Sequence, residues 1–264
     1  MVPKGNEELI DSNGQTLKKR FSPPLGFQRK PLPKGSFAAF LRSLPLQEAG
    51  SPVELYDGRT KGAPAVRAAV VDLPIGNKDL HQCADAAIHL RAEFLYRKKA
   101  YDRIAFHFTN GFLADFSKWR KGHRIMVEGG RTFWTAPQKD TGGAGSFREY
   151  LETVYTYAGT ISLSRELRAV PLDSMKIGDL FIQGGSPGHA VIVVDMARDP
   201  HSGKKCFLLA QSFMPAQEIH ILENPNDPDI SPWYTLDPEK GLKTPEWKFT
   251  KRDLKSWPSK ENGY

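Results

Sequence analysis

Apolar residues recur at helical spacing in three stretches of the chain. The first is 37–44 (FAAFLRSL). In the second, Ala86, Ala87, Leu90, Phe94 and Leu95 repeat at three- and four-residue steps, which predicts a helix running to about Lys98. Its start is expected at Asp79, whose carboxylate can accept from the third backbone N–H while Gln82 reaches back, a capping box. The third stretch covers 146–167, with a break near Gly159. Other stretches read as strands. Residues 53–57 and 66–73 are short and apolar, the second nearly uninterrupted and therefore expected at the centre of a sheet. Residues 175–182 read as a turn then a strand. A glycine-rich loop at 184–188 leads into 189–195, whose branched residues suit a buried pleated surface. A turn at 198–203 then joins it to a return strand at 205–213. Helices followed by consecutive antiparallel strands argue an α+β fold.

The ends of the chain lack this periodicity. Residues 1–35 carry Pro3, Pro23, Pro24, Pro31 and Pro33 among basic residues and read as an extended arm, lying on the domain or loose in solvent. Residues 36–224 form the α+β domain. Residues 225–264, rich in proline with Trp233, Trp247 and Trp257, read as a segment wrapping the surface.

Composition narrows the function classes. At 39% hydrophobic and 25% charged residues, the 264-residue chain is globular. Its net charge of +7 comes from scattered basic residues with no run of five or six, which argues against a nucleic-acid partner. No apolar run reaches about 18 residues, so no membrane-spanning helix is expected. The N-terminal residues lack the apolar centre of a signal peptide, which fits a cytoplasmic protein or an exported one after processing. Two cysteines, Cys83 and Cys206, exclude a disulfide framework and a four-thiolate zinc site. Neither His-Glu-x-x-His nor Cys-x-x-Cys occurs, and no P-loop or dinucleotide fingerprint. No metal or cofactor is therefore expected.

One set of residues carries chemistry. Cys83 falls in the first turn of a helix, where free backbone N–H groups favour a thiolate and can hold an oxyanion. A cysteine nucleophile needs a base, usually an imidazole from elsewhere in the chain. His189 opens an apolar strand directly after a glycine-rich loop. A hairpin at 198–203 brings Gln211 near His189, on the face shared with Phe207, Leu209 and Phe213. Its amide oxygen can accept from the imidazole N–H and orient the ring. Cys206, in mid-strand, reads as core. Phe116, Trp119, Arg120, His123 and Arg124 group aromatic and cationic side chains that could line a cleft. A solvated helix face over a buried tryptophan is the more ordinary reading of them. His81 and Cys83, two apart, do not share a helix face and make a poor metal pair.

Ile177-Gly178-Asp179-Leu180-Phe181, followed by Gly188-His189-Ala190-Val191-Ile192-Val193, resembles the Gly-Asp-strand and His-strand signature of NlpC- and CHAP-type peptidases and amidases. The resemblance covers about residues 79–222. It implies a papain-like core, with the helix carrying the cysteine packed on an antiparallel sheet, and a Cys83, His189, Gln211 site. Gln82 would assist at the oxyanion, and Trp119 and Arg124 would contact substrate. The implied substrate is a peptide or peptidoglycan fragment. Cys83 and His189 are 106 residues apart, which implies an insertion at about 101–170. The cysteine is flanked as Gln82-Cys83-Ala84-Asp85, and Gln211 stands where His, Asn or Glu is commoner. An alternative on the same fold is a catalytically silent module that binds envelope glycans or a protein. Over nearly its full length the chain also resembles an uncharacterised bacterial domain family of unknown function, through Gln82-Cys83-Ala84-Asp85-Ala86, Gly178-Asp179-Leu180 and the run from Ala210 to Gln217.

Overall fold

The hairpin that organises the molecule follows directly from its sequence. β-branched residues run without interruption from Val191 to Val194, and the computed structural model, which describes residues 9–63, 66–139, 142–236 and 239–258, places them in one long strand. In chain order the elements begin with helices α1 (Leu17–Arg20) and α2 (Phe37–Arg42), strand β1 (Arg67–Val70) and helix α3 (Cys83–Arg97). Two small hairpins follow, β2 (Ala105–His107) with β3 (Leu113–Asp115), and β4 (Ile125–Glu128) with β5 (Arg131–Trp134), separated by α4 (Phe116–Arg120). Helices α5 (Gly143–Tyr157) and α6 (Thr160–Glu166) meet at Ala158 and Gly159, where the helical break was expected. The remaining strands are β6 (Arg168–Ala169), β7 (Leu180–Gln183), β8 (His189–Arg198), β9 (Lys205–Gln211), β10 (His220–Leu222), β11 (Tyr234–Thr235), β12 (Leu242–Lys243), β13 (Lys248–Phe249) and β14 (Leu254–Ser256).

The large sheet runs β1-β10-β9-β8-β7-β14-β6, with β11 also paired to β9, and its pairs are antiparallel. The fold is therefore α+β. Alternation along β8 divides the core in two. Ala190, Ile192 and Val194 pack with the helices, while Val191 and Val193 pack with Phe181, Phe207, Leu209 and the C-terminal Tyr234, Leu242 and Phe249. A register shift between Val193 and Asp195 bends the strand and aims Asp195 at the N-terminal arm. No helix among the described residues is long and apolar enough to cross a membrane.

Three expectations change, and one alternative is decided. Residues 53–57 are not a strand; Glu54 and Leu55 make only isolated bridges, to Thr60 and Gln217. Strand β1 lies at one end of the sheet, not at its centre. Its apolar run reflects burial under the chain around Leu46, which bridges to Val71. The arm is not loose from residue 9 onward: Leu17 and Phe21 are fully buried, and Gln28 bridges to Arg198. The C-terminal segment is not a surface wrap. Trp233 and Leu254 are fully buried and β14 is inserted between β7 and β6, each such side chain contributing about 1.5–3 kcal/mol of burial.

Candidate functional site

Helix α3 begins at Cys83 with Gln82 at its cap, three residues beyond the expected cap Asp79, because a different carboxylate closes its first turn. Asp85 accepts from the Gln82 backbone N–H at 3.0 Å. Asp79, the expected cap, instead accepts from the Ala216 N–H at 2.7 Å and from the Gln82 amide at 3.4 Å. Cys83 is thus the first helical residue. It lines a cleft of about 240 Å³ together with Gln82, Asp85, Tyr155, Thr160 and the 185–188 loop. That loop comes close to α6. A Cβ on Gly188 would lie 2.4 Å from Thr160 Oγ1 and 2.6 Å from the Gly185 carbonyl, so only glycine fits directly before His189.

Cys83 is 8% exposed. Burial, with the Asp85 carboxylate behind it, pushes its thiol up to about 11. The backbone amides of Ala84, Ala190 and Cys83 itself pull the other way. The field of a helix start favours a thiolate, as the sequence led one to expect, but desolvation is the larger effect here. The thiol lies by the Ala190 backbone amide at the start of β8. The His189 ring shares the other face of the strand with Val191, among Trp247 and Phe249, and does not line the Cys83 cleft.

His189 and Gln211 come together. The β8–β9 register pairs Ile192 with Ala210, which sets Gln211 diagonally across from His189 on the same face. The His189 Nε2 lies 2.8 Å from Gln211 Oε1. Around the imidazole stand Phe213, Trp247 and Phe249, with ring centroids 4.9, 5.3 and 6.0 Å away. This apolar surround lowers the His189 pKa to about 4, against the opposing effects of Gln211 and Glu246. The ring is therefore neutral at pH 7.

Trp119 and Arg124 lie elsewhere. Trp119 is buried, donates from Nε1 to Ser146 Oγ at 3.0 Å, and meets Tyr150 edge-on. The Arg124 guanidinium sits 4.4 Å from the Trp119 ring centroid and donates to the Trp119 and His123 carbonyls. Neither lines the Cys83 cleft; they staple α4 to the β4–β5 hairpin. Cys206 is fully buried in mid-strand, its thiol pushed up to about 12 by desolvation.

Sequence reasoning missed Glu246, Lys61 and His220, which surround Gln211. Gln211 Nε2 donates to Glu246 Oε2 at 2.6 Å and lies 3.3 Å from His220 Nε2. Lys61 reaches the same Glu246 oxygen at 2.7 Å. Glu246 lies in a segment whose prolines read as surface, and nothing local marks it. His220, a polar residue between Ile219 and Ile221, was the one available signal. Beneath the cleft, His81 and His89 meet at 3.2 Å with Tyr155 edge-on to His81, and burial lowers both imidazoles.

The architecture defines an α+β domain with a large antiparallel sheet, a cysteine at a helix start and a His–Gln pair on adjacent strands. The chain belongs to the family described as Domain of unknown function (4846), which matches residues 17–256. No curated protein and no solved structure matches it.

Proposed function

We propose that the chain is a papain-like cysteine hydrolase, a peptidase or amidase that cleaves a cell-wall peptide or related amide. The observation that carries this reading is the 2.8 Å His189–Gln211 bond at the start of β8, with the start of α3 and its Cys83 against Ala190. This reading requires His189 Nδ1 to come within reach of Cys83 and take its proton as the sulfur attacks the amide carbonyl carbon. The oxyanion accepts from the Cys83 backbone N–H and the Gln82 side chain. The imidazolium, steadied by Gln211, then gives its proton to the leaving amine as the C–N bond breaks. Water attacks the resulting thioester with His189 as base, releasing the acid and restoring the thiol. Ionising at pH 7 a thiol that titrates near 11 costs roughly 5 kcal/mol. The resting pair is therefore thiol and neutral imidazole, and proton transfer accompanies attack.

The test is the pH dependence of Cys83 alkylation, with Cys206 and a His189→Ala variant as references. Cys83 should react faster than Cys206 and slow in the variant. With wall peptides as substrates, Cys83→Ala should abolish turnover; retention of activity within a few-fold would sink the proposal.

A second reading, a silent module that binds envelope glycans or a protein through the same cleft, draws on the burial that keeps Cys83 protonated. It requires muropeptide binding that Cys83→Ala leaves unchanged and no turnover by the wild type.

A further inference from the structure

The His189–Gln211 pair sits in a closed set of hydrogen bonds whose donors and acceptors can be counted. His220 Nδ1 lies 2.9 Å from the Glu218 carbonyl, which only accepts, so His220 carries its hydrogen on Nδ1. Burial lowers its pKa to about 3, so Nε2 is left as a bare acceptor. That acceptor faces Gln211 Nε2 at 3.3 Å. The other hydrogen of the same NH2 goes to Glu246 Oε2, the oxygen that Lys61 Nζ also reaches. Lys61 is held in turn by Gln217 Oε1 at 3.0 Å and lies 5.1 Å from the Phe213 ring centroid.

Both hydrogens of the Gln211 amide are therefore assigned, and its oxygen must face His189. Flipping the amide would set its carbonyl oxygen against a carboxylate oxygen and an imidazole lone pair, with neither acceptor satisfied. With a carbonyl oxygen 2.8 Å from Nε2, His189 must carry its single hydrogen there, which leaves Nδ1 bare.

We infer that Glu246, held by Lys61, is a positioning residue. It fixes the Gln211 amide and through it the His189 tautomer that leaves Nδ1 free to act as a base. Glu246 acts through Gln211 and touches no reacting atom. Glu246 and the lysine that holds it are far apart in sequence, Lys61 ahead of β1 and Glu246 between β12 and β13. Trp247, the next residue, covers the imidazole and donates from Nε1 to Gln183 Oε1 at 3.0 Å.

The inference that Nδ1 serves as a base rests on the hydrolase reading; the assignment of the tautomer does not. The experiment separates them. In protein labelled with 15N at histidine, wild-type His189 should show one tautomer, with hydrogen on Nε2. Glu246→Ala should lose that single signature and slow Cys83 alkylation by roughly tenfold or more. Glu246→Gln keeps an acceptor for Gln211 and should restore both. Hydrogen on Nδ1 in the wild type overturns the inference, even if Glu246→Ala does not fold. An unchanged His189 signature in folded Glu246→Ala also overturns it. If His189→Ala leaves Cys83 alkylation unaltered while the tautomer responds to Glu246, the hydrolase reading fails and the tautomer assignment stands.

Discussion

Strand β8 carries a buried polar cluster at each end of its buried run, and the two are built on opposite principles. At the register shift, Asp195 is fully buried and meets Arg42 Nε at 2.6 Å and Arg29 Nε at 2.7 Å. Arg42 also donates to the Lys30 and Met196 carbonyls, and Arg29 to the Phe21 carbonyl. The Trp233 ring lies 5.4 Å from the Arg29 guanidinium, and its Nε1 donates to the Ser22 carbonyl. Charge is met by charge, and arm and tail are tied together. At the other end, His189 is neutral, is held through one ring nitrogen, and directs the other away from its orienting partner. The first arrangement fixes the fold. The second holds a neutral ring through a single nitrogen.

Removing the charge at the first cluster should have the largest effect. Asp195→Ala leaves the buried Arg42 and the partly buried Arg29 without their counter-ion, so chemical denaturation should show a loss of about 3–5 kcal/mol. Any loss of activity should follow the loss of folded protein. A variant as stable as the wild type would remove the distinction drawn here.

Acid should act next, and through histidine. Burial holds His189 and His81 near 4, His220 near 3 and His89 well below its ordinary value. The unfolded chain takes up protons as pH falls through about 6.5 and the folded chain does not, so stability is fully present above that pH and is lost on the way down to 4. Asp85 runs the opposite way. Its folded pKa, raised to about 8 by burial, lies above its unfolded value, so its cost is present near neutrality and disappears in acid. Glu166, Asp179 and Glu218 are raised by burial as well and act with Asp85, but the four imidazoles outweigh them, and Tm should fall by about 10 °C or more between pH 6.5 and 4.5. A flat profile would mean that these histidines are charged in the fold.

Gln211→Ala should separate the clusters by function. Losing one buried amide that bonds to His189 and Glu246 should cost about 1–3 kcal/mol of stability. Cys83 alkylation should slow by roughly tenfold or more, a larger relative effect than any stable variant at the Asp195 cluster produces. Equal slowing by a folded variant at Arg29 would erase the contrast.

The smallest effect concerns the thiol. Asp85→Asn keeps an oxygen to accept from the Gln82 N–H but removes a charge that raises Cys83. The midpoint of Cys83 alkylation should shift down from about 11 while the helix content in circular dichroism is kept. An upward shift would show that the Asp85 carboxylate does not hold the thiol up.

The legible parts of the molecule were the local ones. β8, its turn and β9 are contiguous, so periodicity alone placed Gln211 beside His189. The start of α3 was misplaced because two acids, Asp79 and Asp85, lie within one turn of Cys83 and either can cap. The choice is made by the Ala216 N–H, 137 residues away from Asp79. Trp119 and Arg124 read as a binding surface because a cation beside an aromatic looks the same whether it faces solvent or, as here, braces a buried ring. Glu246 was illegible for the same reason that β14 was: a polar residue in a proline-rich tail gains its meaning only from the strand it reaches.

The place of β14 has a consequence for how the protein is made. β7 and β6 are contiguous with the middle of the chain, but the slot between them is filled by Leu254–Ser256. Until those residues leave the ribosome, β7 presents an unpaired edge and the His189 side of the sheet lacks Leu242, Phe249, Glu246 and Trp247. The nascent domain is then a template for wrong pairing, and its final contacts span most of the sequence, which slows their formation. Synthesis itself thus leaves the surroundings of His189 incomplete until residues 242–256 have emerged.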